Sequence, residues 1–260
     1  MRHGSISPGG WESSVLRNIL PVLLLASIGC VAAQNQAPGP EWTLTFSDEF
    51  EGADLDLSKW SPHDPFGGRR SGELASALPE AITVAAGQAL ISARHQGGDP
   101  PYTSGIMTTR GTFAQTYGRF EARLRIPEGR GLEARFQLLP LTLKTLPAID
   151  VMDALGAQPA MMRLENRWGD ESTERAFGDS RAGPSLATGL HTVAVEWDAQ
   201  RIVWFVDGKR VFESAEGVPR EPLYLAVSLA VGGRNAKAPG AEVHFPAVFV
   251  IDYIRVYRKS

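Results

Sequence analysis

The chain has one cysteine, Cys30, in 260 residues, so no disulfide within it can staple the fold. A large packed core has to supply the stability instead. It has no basic block, and a formal net charge of -3 argues against a nucleic-acid partner. No His/Cys cluster has the spacing of a metal site. Long helical periods and internal repeats are also missing. The apolar run Ile19-Leu-Pro-Val-Leu-Leu-Leu-Ala-Ser-Ile28 is too short to span a bilayer, so no membrane span is expected.

That run is preceded by Arg17 and followed by the small residues Gly29-Cys-Val-Ala-Ala33, the pattern of an export signal. Two fates stay open. Cleavage after Ala33 would free a chain starting at Gln34, whereas Ser27-Ile-Gly-Cys30 resembles a lipoprotein box, with Cys30 lipidated. The protein is thus expected to be exported, either secreted or periplasmic, or anchored to a membrane through a lipid on Cys30. Residues 1–33 are the leader, 34–40 a short linker with prolines, and 41–258 one domain. A chain 43% hydrophobic and 21% charged suits one sizeable core.

What the domain does have is short period-two alternation. It runs through Trp42–Phe46, Ile82–Val84, Ala89–Ala93, Arg119–Ile126, His191–Trp197, Ile202–Val206, Leu223–Val227 and Phe249–Tyr257. Gly, Pro and Asp-Gly turns separate these runs, Asp207-Gly208 being the clearest hairpin signal. Many evenly spaced strands predict an all-β protein, an antiparallel β-sandwich of the jelly-roll kind.

The most informative stretch is Pro147-Ala-Ile-Asp-Val-Met-Asp153. On a strand Ala148 and Asp150 share a face, and Asp153 joins them only if a β-bulge adds one residue in between. Glu side chains at the outer two places would form the carboxyl pair of a retaining glycosidase, roughly 5–5.5 Å apart. Here those places hold Ala and Asp.

From about Trp42 to Tyr257 the chain resembles family 16 glycoside hydrolases, β-jelly-roll enzymes that cleave laminarin, lichenan, agar and related polysaccharides. Phe46-Ser-Asp-Glu-Phe50 with Gly52 and Trp60 is similar to the family's opening. Tyr102-Thr-Ser-Gly-Ile-Met-Thr-Thr-Arg110 and Tyr117-Gly-Arg-Phe-Glu-Ala-Arg-Leu-Arg-Ile-Pro127 resemble its central strands. Gly189–Trp197, Trp204-Phe-Val-Asp-Gly208, Leu229-Ala-Val-Gly-Gly233 and Ile251–Tyr257 complete the likeness. It is the order and spacing of these pieces together that is specific.

The resemblance implies a signature E-x-D-x-x-E of nucleophile, assisting Asp and general acid/base. Ala148, Asp150 and Asp153 stand at those places, so the assisting Asp alone is kept. Ala148 has no atom that can attack an anomeric carbon, and losing the nucleophile in another enzyme class costs about a millionfold. Asp153 can still carry a proton, on a shorter arm.

The aromatic segment that the family places before this strand is replaced by Glu133-Ala-Arg-Phe-Gln-Leu-Leu139. Parity puts Glu133, Arg135 and Gln137 on the cleft side, with Ala134, Phe136 and Leu138 in the core. In Met162–Trp168, Arg163, Glu165 and Arg167 take the cleft side in the same way. Family cleft Asn positions correspond to Ala81 and Ser228. The core parity stays apolar while the cleft parity has turned from aromatic to charged.

Three readings follow. The charges form a closed ion-pair network without a ligand; or they form a groove for a saccharide, anionic groups meeting Arg forks; or Glu165 stands in for the missing carboxylate, with Asp153 or Glu133 as proton donor. Polysaccharide is the expected partner and a monomer the expected state, with a non-catalytic structural or interaction protein of the cell envelope as the alternative if Cys30 is lipidated. Trp60, Trp168, Trp197 and Trp204 are expected in core or hairpin packing, and His191 as a hydrogen-bonded structural residue. The resemblance implies no required cofactor. Many relatives hold a structural calcium on the convex side, where Asp252 and the Gly87 carbonyl fall at family positions.

Overall fold

The alternating runs become strands in the computed structural model, which describes residues 39–67, 72–142, 144–170 and 172–260. The leader, Cys30 and all but the end of the linker lie outside the described residues. In chain order the first strands are β1 (Trp42–Asp48), β2 (Ala75–Ala77), β3 (Ile82–Ala85), β4 (Gln88–His95), β5 (Tyr102–Ser104) and β6 (Ile106–Thr108). There follow β7 (Gly118–Arg125), β8 (Leu132–Pro140), β9 (Ala148–Leu155), β10 (Met161–Trp168) and β11 (Arg175–Ala182). The last are β12 (His191–Trp197), β13 (Ile202–Val206), β14 (Lys209–Ser214), β15 (Leu223–Val231) and β16 (Ala247–Lys259), with one helical turn, α1 (Gly233–Ala236).

Two sheets result. The larger runs β14-β13-β12-β7-β16-β4-β5-β2, with β1 added to β16 and β3 to β4; the smaller runs β11-β10-β9-β8-β15-β6. Neighbours are antiparallel except for β2 and β5. This is the β-sandwich that the alternation predicts. Asp207 and Gly208 form the β13–β14 hairpin turn, both with positive φ (48° and 74°), the conformation for which Asp-Gly is suited.

Inward faces of both sheets merge into one core. Phe120, Leu124, Val195, Trp204 and Phe249 meet Phe136, Ile149, Met152, Leu164 and Val227, all within 1% of full burial. Each such side chain contributes roughly 1.5–3 kcal/mol relative to exposure, which suits a domain whose described residues include no cysteine. The tryptophans behave as expected. Trp60 is buried with its indole nitrogen on Asp48, and Trp197 donates to the Pro219 carbonyl. Trp168 is half-buried against Gly217.

β11 was not legible as a strand. All eight of its residues are exposed, so neither face carries the apolar alternation that marks a half-buried strand. It is the edge of the smaller sheet. Gly178 lets it lie close, because a β-carbon there would overlap Glu165 on β10.

Candidate functional site

The outer face of the smaller sheet carries the site, and a bulge in β9 organises it. Arg135 and Gln137 on β8 oppose Asp153 and Asp150, and Arg163 and Glu165 on β10 oppose the same pair. Two steps on each neighbour therefore match three on β9. Val151 and Met152 both enter the core, which leaves Ala148, Asp150 and Asp153 on the outer face. Across the sandwich, the indole Nε1 of Trp204 on β13 donates to the Asp150 carbonyl at 2.9 Å. A bulge interrupts the ladder, and this bond satisfies a carbonyl at the interruption.

Three arginines interleave with the carboxylates. Arg135 donates to Glu133 and, at 3.2 Å, to Glu73, with Asp153 at 4.0 Å. Arg163 donates to Asp153 and lies 3.9 Å from Glu133. Arg167 stands 3.6 Å from Asp150, 3.5 Å from Glu165 and 3.6 Å from Glu174. Gln137 donates to Asp150 at 2.6 Å, and Asn235 of α1 donates to Glu133 at 3.2 Å.

Crowding of acids shows in their proton affinities. Burial, then the Glu133 carboxylate, pushes Asp153 up to about 7 against the pull of Arg135 and Arg163. Burial, then Asp150, also raises Glu165. Burial disfavours the Arg135 charge, but Glu133, Asp153 and Glu73 outweigh it and hold the guanidinium above its ordinary value. Arg163 is raised in the same way, chiefly by Asp153.

Around these groups lies an open cavity of about 590 Å³. Arg135, Gln137, Asp150, Asp153, Arg163, Glu165 and Arg167 all line it. A second cavity, about 400 Å³, shares Asp153, Arg163, Arg234 and Asn235 with it and adds Glu133. Ala148 lines neither. It is fully buried in an apolar cluster with Leu139, Tyr224 and Ala226, against which Phe66 and Ala114 pack. Ser228 opposes Arg135 but sits in a separate small recess beside Glu73, and Ala81 is buried in a 3-10 turn. Cleft residues that escaped the sequence reading include Phe66, Glu73, Glu174, Arg234 and Asn235. They reach the cleft from loops and α1, where no periodicity marks a face.

Residues 71–254 match the model of the glycosyl hydrolases family 16. The chain belongs to that family. A beta-glucanase from Rhodothermus marinus is 32% identical over 267 residues, covering 91% of this chain and 93% of that one. The endo-1,3-1,4-beta-glycanase ExsH of Rhizobium meliloti is 34% identical over 182 residues, 68% of this chain but 37% of that longer protein. Among solved structures, the laminarinase catalytic domain from Thermotoga maritima superposes with a TM-score of 0.77 at 27% identity, covering 85% of this chain and 99% of that one.

Two family expectations lie on the larger sheet. His191 is structural: its ring nitrogens meet Asp207 at 2.8 Å and the Thr188 carbonyl at 3.0 Å. Asp252 sits at a register shift in β16 and accepts from Arg123 at 3.0 Å and from Gln88 at 3.1 Å. Calcium needs several oxygen donors, and here a guanidinium takes the cation's place on Asp252. Gly87 lies in the β3–β4 turn (φ 73°). This donor set does not fit calcium. No group of three or more His, Cys, Asp or Glu suited to a metal occurs among the described residues. None of their helices is long and apolar enough to cross a membrane.

Proposed function

We propose that this protein interacts with polysaccharide through a family 16 cleft that no longer hydrolyses by the two-carboxylate route. The observation that carries the reading is Ala148, which the family resemblance puts at the nucleophile's position and which is buried in a cluster with Leu139, Tyr224 and Ala226. Retention needs a carboxylate there, and neither a side-chain oxygen nor open space serves in its stead. The ion-pair network adds support. Asp153 is held by Arg163 instead of standing free to meet a glycosidic oxygen. Because the protein's own carboxylates occupy the Arg135, Arg163 and Arg167 forks, a neutral glycan fits better than a sulfated one.

Names of the relatives supply the probes, laminarin and mixed-linkage β-glucan. The expected result is retention in gels containing these polymers without release of reducing ends, weakened by Arg163→Ala or Arg167→Ala. Turnover by the unaltered chain would overturn the reading.

One observation favours a second reading, an inverting hydrolase. Asp153 near 7 suits a general acid, and Glu165, also raised, lies on the adjacent strand as a candidate base. That reading requires measurable turnover abolished by Glu165→Gln. Residues 17–33 support export, and the mass of the mature N-terminus separates cleavage before Gln34 from lipidation at Cys30.

A further inference from the structure

Among the described residues, one aromatic side chain, Phe66, lines the two cleft cavities, yet sugar rings pack best on aromatic faces. A cavity with three aromatics lies on the other sheet. It occupies the end where β1, β13 and β7 begin and β12 and β16 finish, with a volume of about 390 Å³. Trp42, Tyr117 and Trp197 line it, with Gly118 between them.

Their states differ in a useful way. Trp197 is core, with its indole N–H on the Pro219 carbonyl. Trp42 and Tyr117 are half-buried and line the cavity. Lys259 lies 5.6 Å from the Trp42 ring centre, and Tyr117 packs edge-on against Trp197 at 5.3 Å.

The backbone holds this shape at a cost. Tyr117 has φ +63°, a region that bulky side chains rarely adopt, and Gln115 clamps its carbonyl at 2.8 Å. Gly118 follows at φ +128°, and a β-carbon there would overlap the Tyr257 carbonyl.

Polar groups of both signs surround the rings: Glu196 and Asp198 against Arg201, Arg258 and Lys259. A nearly balanced rim offers hydrogen bonds without selecting a net charge. Flat apolar faces flanked by planar acceptors and donors suit a neutral saccharide, whose C–H faces stack while its hydroxyls bridge. The volume falls within the range of small-ligand sites. We propose that this end of the larger sheet is a second saccharide-binding site, separate from the cleft, with Trp42 and Tyr117 as its platforms.

Calorimetric titration of the full chain with laminarihexaose tests this. The expected result is two sites per chain. Trp42→Ala and Tyr117→Asn should each weaken one class by about tenfold or more, the scale for losing an aromatic anchor. Asn tolerates the left-handed backbone at 117, and Trp42→Phe should retain binding; thermal unfolding checks that each variant folds. Arg163→Ala with Arg167→Ala addresses the cleft and should leave this class intact. Unchanged titrations for folded Trp42→Ala and Tyr117→Asn, or no binding by the unaltered chain, would sink the proposal.

Discussion

The indole of Trp204 reaches from the larger sheet to the Asp150 carbonyl in the smaller one, 2.9 Å away, and so ties the core to the bulge beneath the cleft. Trp204→Phe keeps most of the ring and removes the donor. A buried carbonyl left without its partner costs about 1–3 kcal/mol. Urea unfolding should show a loss of that size. A change under about 0.5 kcal/mol would mean that the carbonyl finds another donor.

Arg135 and Arg163 touch the same carboxylates from different depths, with side chains 15% and 38% exposed. Arg135→Ala leaves Glu133, whose side chain is 1% exposed, with only Asn235 and the more distant Arg163, and should destabilise by about 3 kcal/mol, the low end of the range for breaking a buried pair. Arg163→Ala should cost roughly 1 kcal/mol, since solvent screens its half-open pair. Chemical denaturation ranks the two. The reverse order would contradict the role given to Arg135.

The Asp153 carboxyl makes stability depend on pH in an unusual sense. Between its ordinary value of 3.8 and about 7 the folded chain keeps a proton that the unfolded chain has released. Stability should therefore fall as pH rises from 5 toward 7.5 and then level off, with Glu165 acting in the same direction. A contribution on the order of 1 kcal/mol corresponds to roughly 2–4 °C in Tm for a domain of this size. Asp170, held near 2 by Ser172, works oppositely but only in stronger acid. Asp153→Asn should flatten the slope in a Tm series from pH 5 to 8; an unaltered slope would assign it to other groups.

Restoring the signature tests whether the frame survives. Ala148→Glu with Asp153→Glu should recover laminarin hydrolysis, at least about tenfold above the parent, because the bulge already places both positions on one face. Arg167 opposes residue 148 across the strand pair and can meet the new carboxylate. The new side chain must also displace the Leu139 and Tyr224 packing, so Ala148→Glu should lower Tm. No recovery in a folded double variant would point to the lost aromatic walls.

The sandwich was legible wherever one strand face is apolar, as in β7, β12 and β16, because burial writes period two into the sequence. Parity also placed Arg135, Gln137, Arg163, Glu165 and Arg167 on the cleft, and it located the bulge between Asp150 and Asp153. What stayed hidden was pairing. Nothing in the chain says that Arg163 chooses Asp153 or that Arg135 reaches Glu73, since long side chains select partners by distance. Ala148 was legible as a missing carboxylate, but not as a sealed apolar position, because Tyr224 lies 76 residues away in sequence. β2, β5 and β6, at three residues each, are too short to show a period.

The one-residue insertion at Val151 and Met152 has a consequence for how such a cleft can change. Beyond the bulge, which side of β9 meets solvent is set by counting peptides, not by the character of the residues. Deleting Val151 or Met152 would let two steps on β9 match two on each neighbour, so the strand would run regular and Asp150 and Asp153 would still share the outer face. Point substitutions can therefore rewrite this cleft one side chain at a time, and a one-residue deletion can be absorbed at the bulge, whereas the same deletion in a regular part of β9 would exchange its faces. The bulge is thus the one point along β9 where the residue count and the choice of face are uncoupled.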